Sequence, residues 1–92
     1  MKIVWDEIKR QKNIQHHGHD FAGLTGDFFL AAMIVPAKRD RLMAIGVLED
    51  GVIAVVFVRL GREGLSIVSM RPASRKERKS YERWVEDNPG DQ

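Results

Sequence analysis

The 92-residue chain has no cysteine, which removes disulfides, thiolate nucleophiles and thiolate-held zinc together. No apolar run approaches the roughly 18 to 20 residues needed to cross a bilayer. The opening residues Met1, Lys2, Ile3, Val4, Trp5 and Asp6 lack the apolar stretch of a signal peptide. A cytoplasmic protein with no membrane contact is therefore expected. Internal repeats, low-complexity tracts and interdomain linkers are also missing. There are three histidines, His16, His17 and His19, so an imidazole acid or base must come from one short segment. None of them is separated by the i, i+4 spacing that places two imidazoles on one helix face, and neither a metal site nor a cofactor is expected.

What is present describes one small domain. Hydrophobic residues make up 43% and charged residues 30% of the chain, a globular balance at a length near the lower limit for burying a core alone. A partner or a homodimer would help it. Fifteen Lys and Arg against 13 Asp and Glu give a formal charge of only +2, but the charge is uneven. From Arg71 to Arg83 there are six basic residues and two acidic ones, whereas residues 86–92 hold three acids and no base. Residues 1–86 read as a single domain and residues 87–92 as a flexible tail.

The pattern predicts an α+β fold: an antiparallel β-sheet meander with one or two N-terminal helices and a C-terminal helix packed on it. Residues 2–5 form a short β-prone run. Asp6 is a suitable N-cap for a helix over residues 7–17 closed by Gly18. Residues 21–29 suit a second helix, and residues 30–35 a strand ending at Pro36. Residues 41–48 and 52–59 flank Glu49-Asp50-Gly51, a hairpin signal with its turn at Asp50-Gly51. In a two-residue turn of that register Leu48 faces Ile53, Ile45 faces Val56, Leu42 faces Arg59 and Arg41 faces Leu60, so that Arg41 and Arg59 can lie near each other. A further strand covers residues 65–71. Ser74 and Glu77 then form a capping box that starts a basic helix, with Tyr81, Trp84 and Val85 on its buried side.

The chemistry this equipment suggests is phosphate binding. Lys38, Arg39, Arg41, Arg59 and Arg71 are the candidates, because a guanidinium binds two phosphate oxygens at once and a strand fixes it better than a loop. The alternative for each arginine is a solvated charge that keeps the sheet soluble. Arg71, at a strand end before a Pro-containing turn, is favoured for function. Glu77 has the position of a general base, but the capping box already accounts for it. Tyr81 is either a core anchor or a hydroxyl donor to phosphate. His17 shares a helix face with Asn13 and Lys9; it is either an acid or base or a polar group at the negative helix end. Arg75, Lys76 and Lys79 are either RNA-backbone contacts or an ordinary solvated face.

Four pieces in order resemble a known family. They are Trp5-Asp6 with Lys9, Asn13, His17-Gly18 and Phe21; Arg41 with Ile45-Gly46; the apolar hairpin; and Ser69-x-Arg71-x-Ala73-Ser74-x-x-Glu77 with Tyr81. Together they are similar to the BrnT family, toxins of type II toxin–antitoxin modules with a RelE-like fold. The resemblance implies a ribonuclease that cleaves RNA and inhibits translation; cleavage by the 2′-OH without metal is expected, and the candidate catalytic residues are Arg41, Arg59, Arg71, Tyr81 and His17. It also implies a cognate BrnA-type antitoxin with a ribbon-helix-helix domain, DNA being contacted only through that complex. The residues alone fit a noncatalytic RNA- or DNA-binding domain, or a partner-binding one, equally well. Cations without an evident acid/base pair bind phosphate but need not cut it.

Overall fold

The computed structural model describes residues 1–89. Its elements are β1 (Lys2–Trp5), α1 (Glu7–His17), a 3-10 turn (Phe21–Gly23), α2 (Gly26–Ala31), β2 (Met33–Pro36), β3 (Leu42–Leu48), β4 (Gly51–Leu60), β5 (Gly64–Pro72) and α3 (Arg75–Asp87). The strands form one sheet in the order β1-β5-β4-β3-β2. From β2 to β5 the pairing is antiparallel, as the meander predicts. β1 adds to the far side of β5 in parallel, so the sheet is mixed within the expected α+β class. Among the described residues no helix is long and apolar enough to cross a membrane.

Residues 21–29 make two elements rather than one helix. Asp20 accepts the Ala22 N–H and starts the 3-10 turn, Leu24 returns to extended backbone, and Thr25 caps α2 by accepting the Phe28 N–H. Each cap satisfies amides that a continuous helix would have paired internally, so the chain restarts instead of continuing. α2 then retains Leu30 and Ala31, and β2 begins at Met33 instead of Leu30.

The hairpin forms, with Glu49 and Asp50 as its turn residues and Leu48 opposite Gly51. Glu49 takes the left-handed conformation at φ 58°. Ile45 consequently faces Ala54, not Val56, and Leu42 faces Phe57, not Arg59. The pairing moves by two residues, an even number, so no side chain changes face.

A bulge in β5 has larger effects. Val56 pairs with Ser69 and Phe57 with Ile67, leaving Val68 as the extra residue. In a regular strand Ile67 and Met70 would point to opposite faces. The bulge lets both enter the same core, where they are 2% and 1% exposed.

That core lies on one face of the sheet. Ala44, Ile53, Val55, Phe57, Leu65, Ile67 and Met70 pack there against Phe21, Leu24, Phe28, Phe29 and Ala32. α2 comes so close to β3 that a Cβ on Gly46 would lie 3.1 Å from a ring carbon of Phe28 and 3.2 Å from Ala32 Cβ. On the opposite face Ile45 and Ala54 are buried at the end of the sheet where α3 crosses β3. α3 begins with the predicted capping box: Ser74 Oγ accepts the Glu77 N–H, and Glu77 Oε1 accepts the Ser74 N–H. The expected burial of its apolar side is only partial, since no α3 residue is fully buried and Val85 is 40% exposed. The helix continues to Asp87 with Asn88 as its C-cap. Residues 90–92 of the expected tail lie outside the described residues.

Candidate RNA-binding site

α1 supplies one wall of the site. Asp6 caps it by accepting the Ile8 and Lys9 amides, and Gly18 ends it at φ 71° with its N–H donating to the Ile14 carbonyl. The helix is locked from three directions. Arg10 donates to both carboxylate oxygens of Asp20, at 2.7 and 3.0 Å, and to Glu7 at 2.6 Å. These contacts raise the Arg10 pKa and lower that of Asp20. Glu7 is also lowered, with its Gln11 hydrogen bond first among the causes.

The third lock is Asn13, a polar stripe residue in the sequence that is in fact buried at 7% exposure. Its Nδ2 donates to the Met70 carbonyl at 2.7 Å and the His19 carbonyl at 3.0 Å. Its Oδ1 accepts the Met70 N–H at 3.0 Å. β1 pairs with β5 only as far as Ile67, and the Asn13 amide serves Met70 as a neighbouring strand would. This orients the outer surface of α1. Lys9, Lys12, His16 and His17 line a cavity of about 260 Å³ with Arg41 and Val68.

The opposite wall is the loop between β2 and β3. Arg39 and Asp40 both adopt φ 60°, a conformation costly for residues with a Cβ. The Ala37 N–H donates to the Arg41 carbonyl at 2.8 Å and closes the loop. A second cavity, of about 480 Å³, is lined by Ala37, Lys38, Arg39, Arg41, Met43, Val56 and Arg71. Arg41 borders both cavities, and among the described residues it makes no ion pair.

Arg71 reaches this face because of the bulge, which pairs it with Ala54. Its side chain is already occupied. Nη1 and Nη2 donate to Glu77 Oε1 and Oε2 at 2.7 and 2.8 Å, Nη1 also reaches the Pro72 carbonyl at 3.2 Å, and Nη2 lies 3.8 Å from Met43 Sδ. The Arg71 hydrogen bonds, followed by the Ser74 amide, pull the Glu77 carboxyl down to about 2. Glu77 raises the Arg71 pKa in return. Glu77 is therefore both the helix cap expected from its spacing and the ion-pair partner of Arg71, a role the sequence did not suggest.

The structure thus brings Lys38, Arg39, Arg41, Arg71 and His17 to one face, together with Lys9 and His16, which the sequence placed beside His17 without a role in phosphate binding, and Lys12, which it did not single out. The i, i+3, i+7 spacing of Lys9, Lys12 and His16 on a capped helix was the signal that could have found them. Arg59 is not brought there. It pairs with Leu65 on the core face, so it does not sit beside Arg41; it lines a separate cavity of about 640 Å³ with Met1, Phe29 and Phe57. The alternation of β4 sends the two arginines to opposite sides of the sheet. Tyr81 is half-buried and stacks on Trp84 with ring centroids 6.0 Å apart, and it borders neither of the two site cavities. Arg75, Lys76 and Lys79 are exposed along α3, outside the same cavities. Among the described residues no group of three or more His, Asp or Glu comes together to hold a metal ion.

Chemically, two walls of cations meeting at one arginine can hold consecutive phosphates of a single strand. Two imidazoles at the rim supply groups able to move a proton.

A sequence model described as "Ribonuclease toxin, BrnT, of type II toxin-antitoxin system" matches residues 5–77. A crystal structure of the Brucella abortus ribonuclease toxin BrnT, at 1.1 Å resolution, is similar at 56% identity over 82% of this chain and 99% of that one, with a TM-score of 0.76. No curated protein matches the chain.

Proposed function

Because this chain belongs to the BrnT family of ribonuclease toxins from type II toxin–antitoxin systems, we propose that it cuts RNA on the sheet face between α1 and the loop at residues 37–41. The reaction is attack of a ribose 2′-OH on the adjacent phosphorus, without a metal. The observation that carries this reading is Arg41, a cation with no ion pair among the described residues at the junction of both cavities.

Arg41 holds the scissile phosphate and stabilises the charge that grows on its oxygens as the phosphorane forms. Lys38 and Arg39 on one side, and Lys9 and Lys12 on the other, hold the neighbouring phosphates. His17, with His16 beside it, transfers protons: one must leave the attacking 2′-OH and one must reach the departing 5′-oxygen. The outer cations Arg75, Lys76 and Lys79 extend the positive field along α3 and draw RNA toward the site.

In the cell this activity inhibits translation in the cytoplasm. A BrnA-type ribbon-helix-helix antitoxin neutralises it and carries the complex to DNA, and the chain's small core is consistent with a partnered or homodimeric state. Inducing the chain alone in bacteria should arrest growth. The purified protein should cleave single-stranded RNA in EDTA, with Arg41→Ala and His17→Ala folded but at least 100-fold slower. Intact RNA and normal growth at high expression would overturn the reading.

A further inference from the structure

The cavity beside Arg41 is not uniformly cationic. Lys38, Arg39 and Arg41 stand at it, but Met43 and Val56 make its floor from the sheet, and Arg71 completes it. Arg71 is not a free cation. Both terminal nitrogens are committed to Glu77, Pro72 and Met43, and the Glu77 carboxylate cancels its charge. A phosphate would have to displace a bidentate carboxylate that is itself fixed by the Ser74 amide at 2.8 Å. What the side chain still offers the cavity is its Nε–H edge and its flat face, on a side chain 35% exposed. A planar, charge-compensated guanidinium in contact with a thioether, in a cavity that a valine also lines, is a surface for a flat, weakly polar ring.

We propose that this cavity is a nucleobase subsite, in which one base of the RNA stacks on the Arg71–Glu77 plane over Met43 and Val56. The phosphate of the same nucleotide meets Arg41. The inference rests on the reading that RNA lies across this face, and it moves Arg71 from phosphate binding to base recognition. Stacking accepts every base but favours the larger purines, because they cover more of the plane. The subsite would therefore bias where the chain is cut without a hydrogen-bond code.

Charge and stacking leave different signatures in binding. The probe is a ten-nucleotide single strand with 2′-O-methyl riboses, which has no attacking hydroxyl, carrying one abasic position moved along its length. For the wild-type chain, one position should cost roughly 5- to 150-fold in affinity when its base is removed. Arg71→Ala should abolish that position dependence and leave the salt dependence of binding unchanged. Arg41→Ala should instead reduce the slope of log K against log salt by about 0.7, the value for one phosphate on a single strand. Met43→Ala alters the floor and removes the sulfur contact to Arg71 Nη2 but leaves both Glu77 hydrogen bonds in place; it should also weaken the position dependence, and it carries the test should Arg71→Ala fail to fold. A reduced salt slope in Arg71→Ala with the position dependence intact would make Arg71 a phosphate clamp and overturn the proposal. So would a flat abasic series in a chain that binds and cleaves RNA, which would leave the ribonuclease reading standing. Absence of any RNA binding by the wild-type chain would remove both.

Discussion

Replacing Asn13 tests how α1 is tied to the sheet. Its amide makes three hydrogen bonds of 2.7 to 3.0 Å, two of them to the main chain of Met70, a residue 1% exposed. Asn13→Ala leaves the Met70 N–H and C=O in a place that water does not reach. Each orphaned group costs about 1 to 3 kcal/mol, and the His19 carbonyl, nearer the surface, recovers a water partner. The expected loss is about 2 to 5 kcal/mol, against a total of about 5 to 14 kcal/mol for a domain of this length. Urea unfolding at pH 7, followed by tryptophan fluorescence and far-ultraviolet circular dichroism, measures it. The slope must stay at the wild-type value for the comparison to hold. Asn13→Asp supplies a signed control. It keeps an acceptor for the Met70 N–H but turns a carboxylate oxygen toward two carbonyl oxygens, so at pH 7 it should be worse than alanine. Once protonated, the introduced carboxyl donates to one of them. The folded-state pKa of the new acid is therefore raised, and its deficit relative to wild type should shrink as pH falls from 7 toward 4. An alanine variant within about 0.5 kcal/mol of wild type, with an unchanged slope, would refute the account of Asn13 as a strand substitute.

Three other outcomes are expected from the ion pair and the faces of the sheet. Glu77 is held at about 2 against an ordinary 4.5, so the stability from its pair with Arg71 is complete above about pH 5 and disappears as pH falls toward 2. The shift sets a ceiling of roughly 3 kcal/mol, which solvent screening reduces to about 1 to 2; Glu77→Gln should lose that amount at pH 7 and flatten the acid limb of the stability curve. Arg59→Ala should cleave RNA within about threefold of wild type, because Arg59 projects from the core face, while Arg41→Ala falls at least 100-fold. Gly46→Ala should lower the midpoint of thermal unfolding by several degrees through its approach to Phe28 and Ala32.

The parts legible in the sequence are those decided within a few residues. Asp6, Gly18 and the Ser74–Glu77 box marked helix ends because a cap bonds amides three positions away. The hairpin announced itself through two apolar runs around Asp50, and its two-residue register error left every face correct. The same arithmetic, followed one step further, separates Arg41 from Arg59, since a turn that sets Leu42 opposite Arg59 sends Arg41 to the other side. What was not legible depends on distant partners. Asn13 meets Met70 across 57 residues of chain, β1 chooses β5 through packing and not local propensity, and the Arg71–Glu77 pair needs the bulge at Val68 to exist. The cations at residues 38, 39, 41 and 71 were identifiable by type, but only the folded sheet distinguishes Arg41, which is unpaired among the described residues, from Arg71, which is not.

Val68 gives β5 a reading frame. Upstream of it the odd-numbered Leu65 and Ile67 enter the core; downstream, the even-numbered Met70 does. Deleting this one residue would remove the bulge and keep every facing: Ile67 would still lie opposite Phe57, Ser69 opposite Val56, Met70 opposite Val55 and Arg71 opposite Ala54, now in regular alternation. Drawing Val68 into the ladder would do the reverse, turning the Met70 side chain out of the core and the Arg71 guanidinium into it. The site therefore depends on Val68 staying outside the pairing and not on its side chain, and the strand can lose this residue more easily than it can straighten around it.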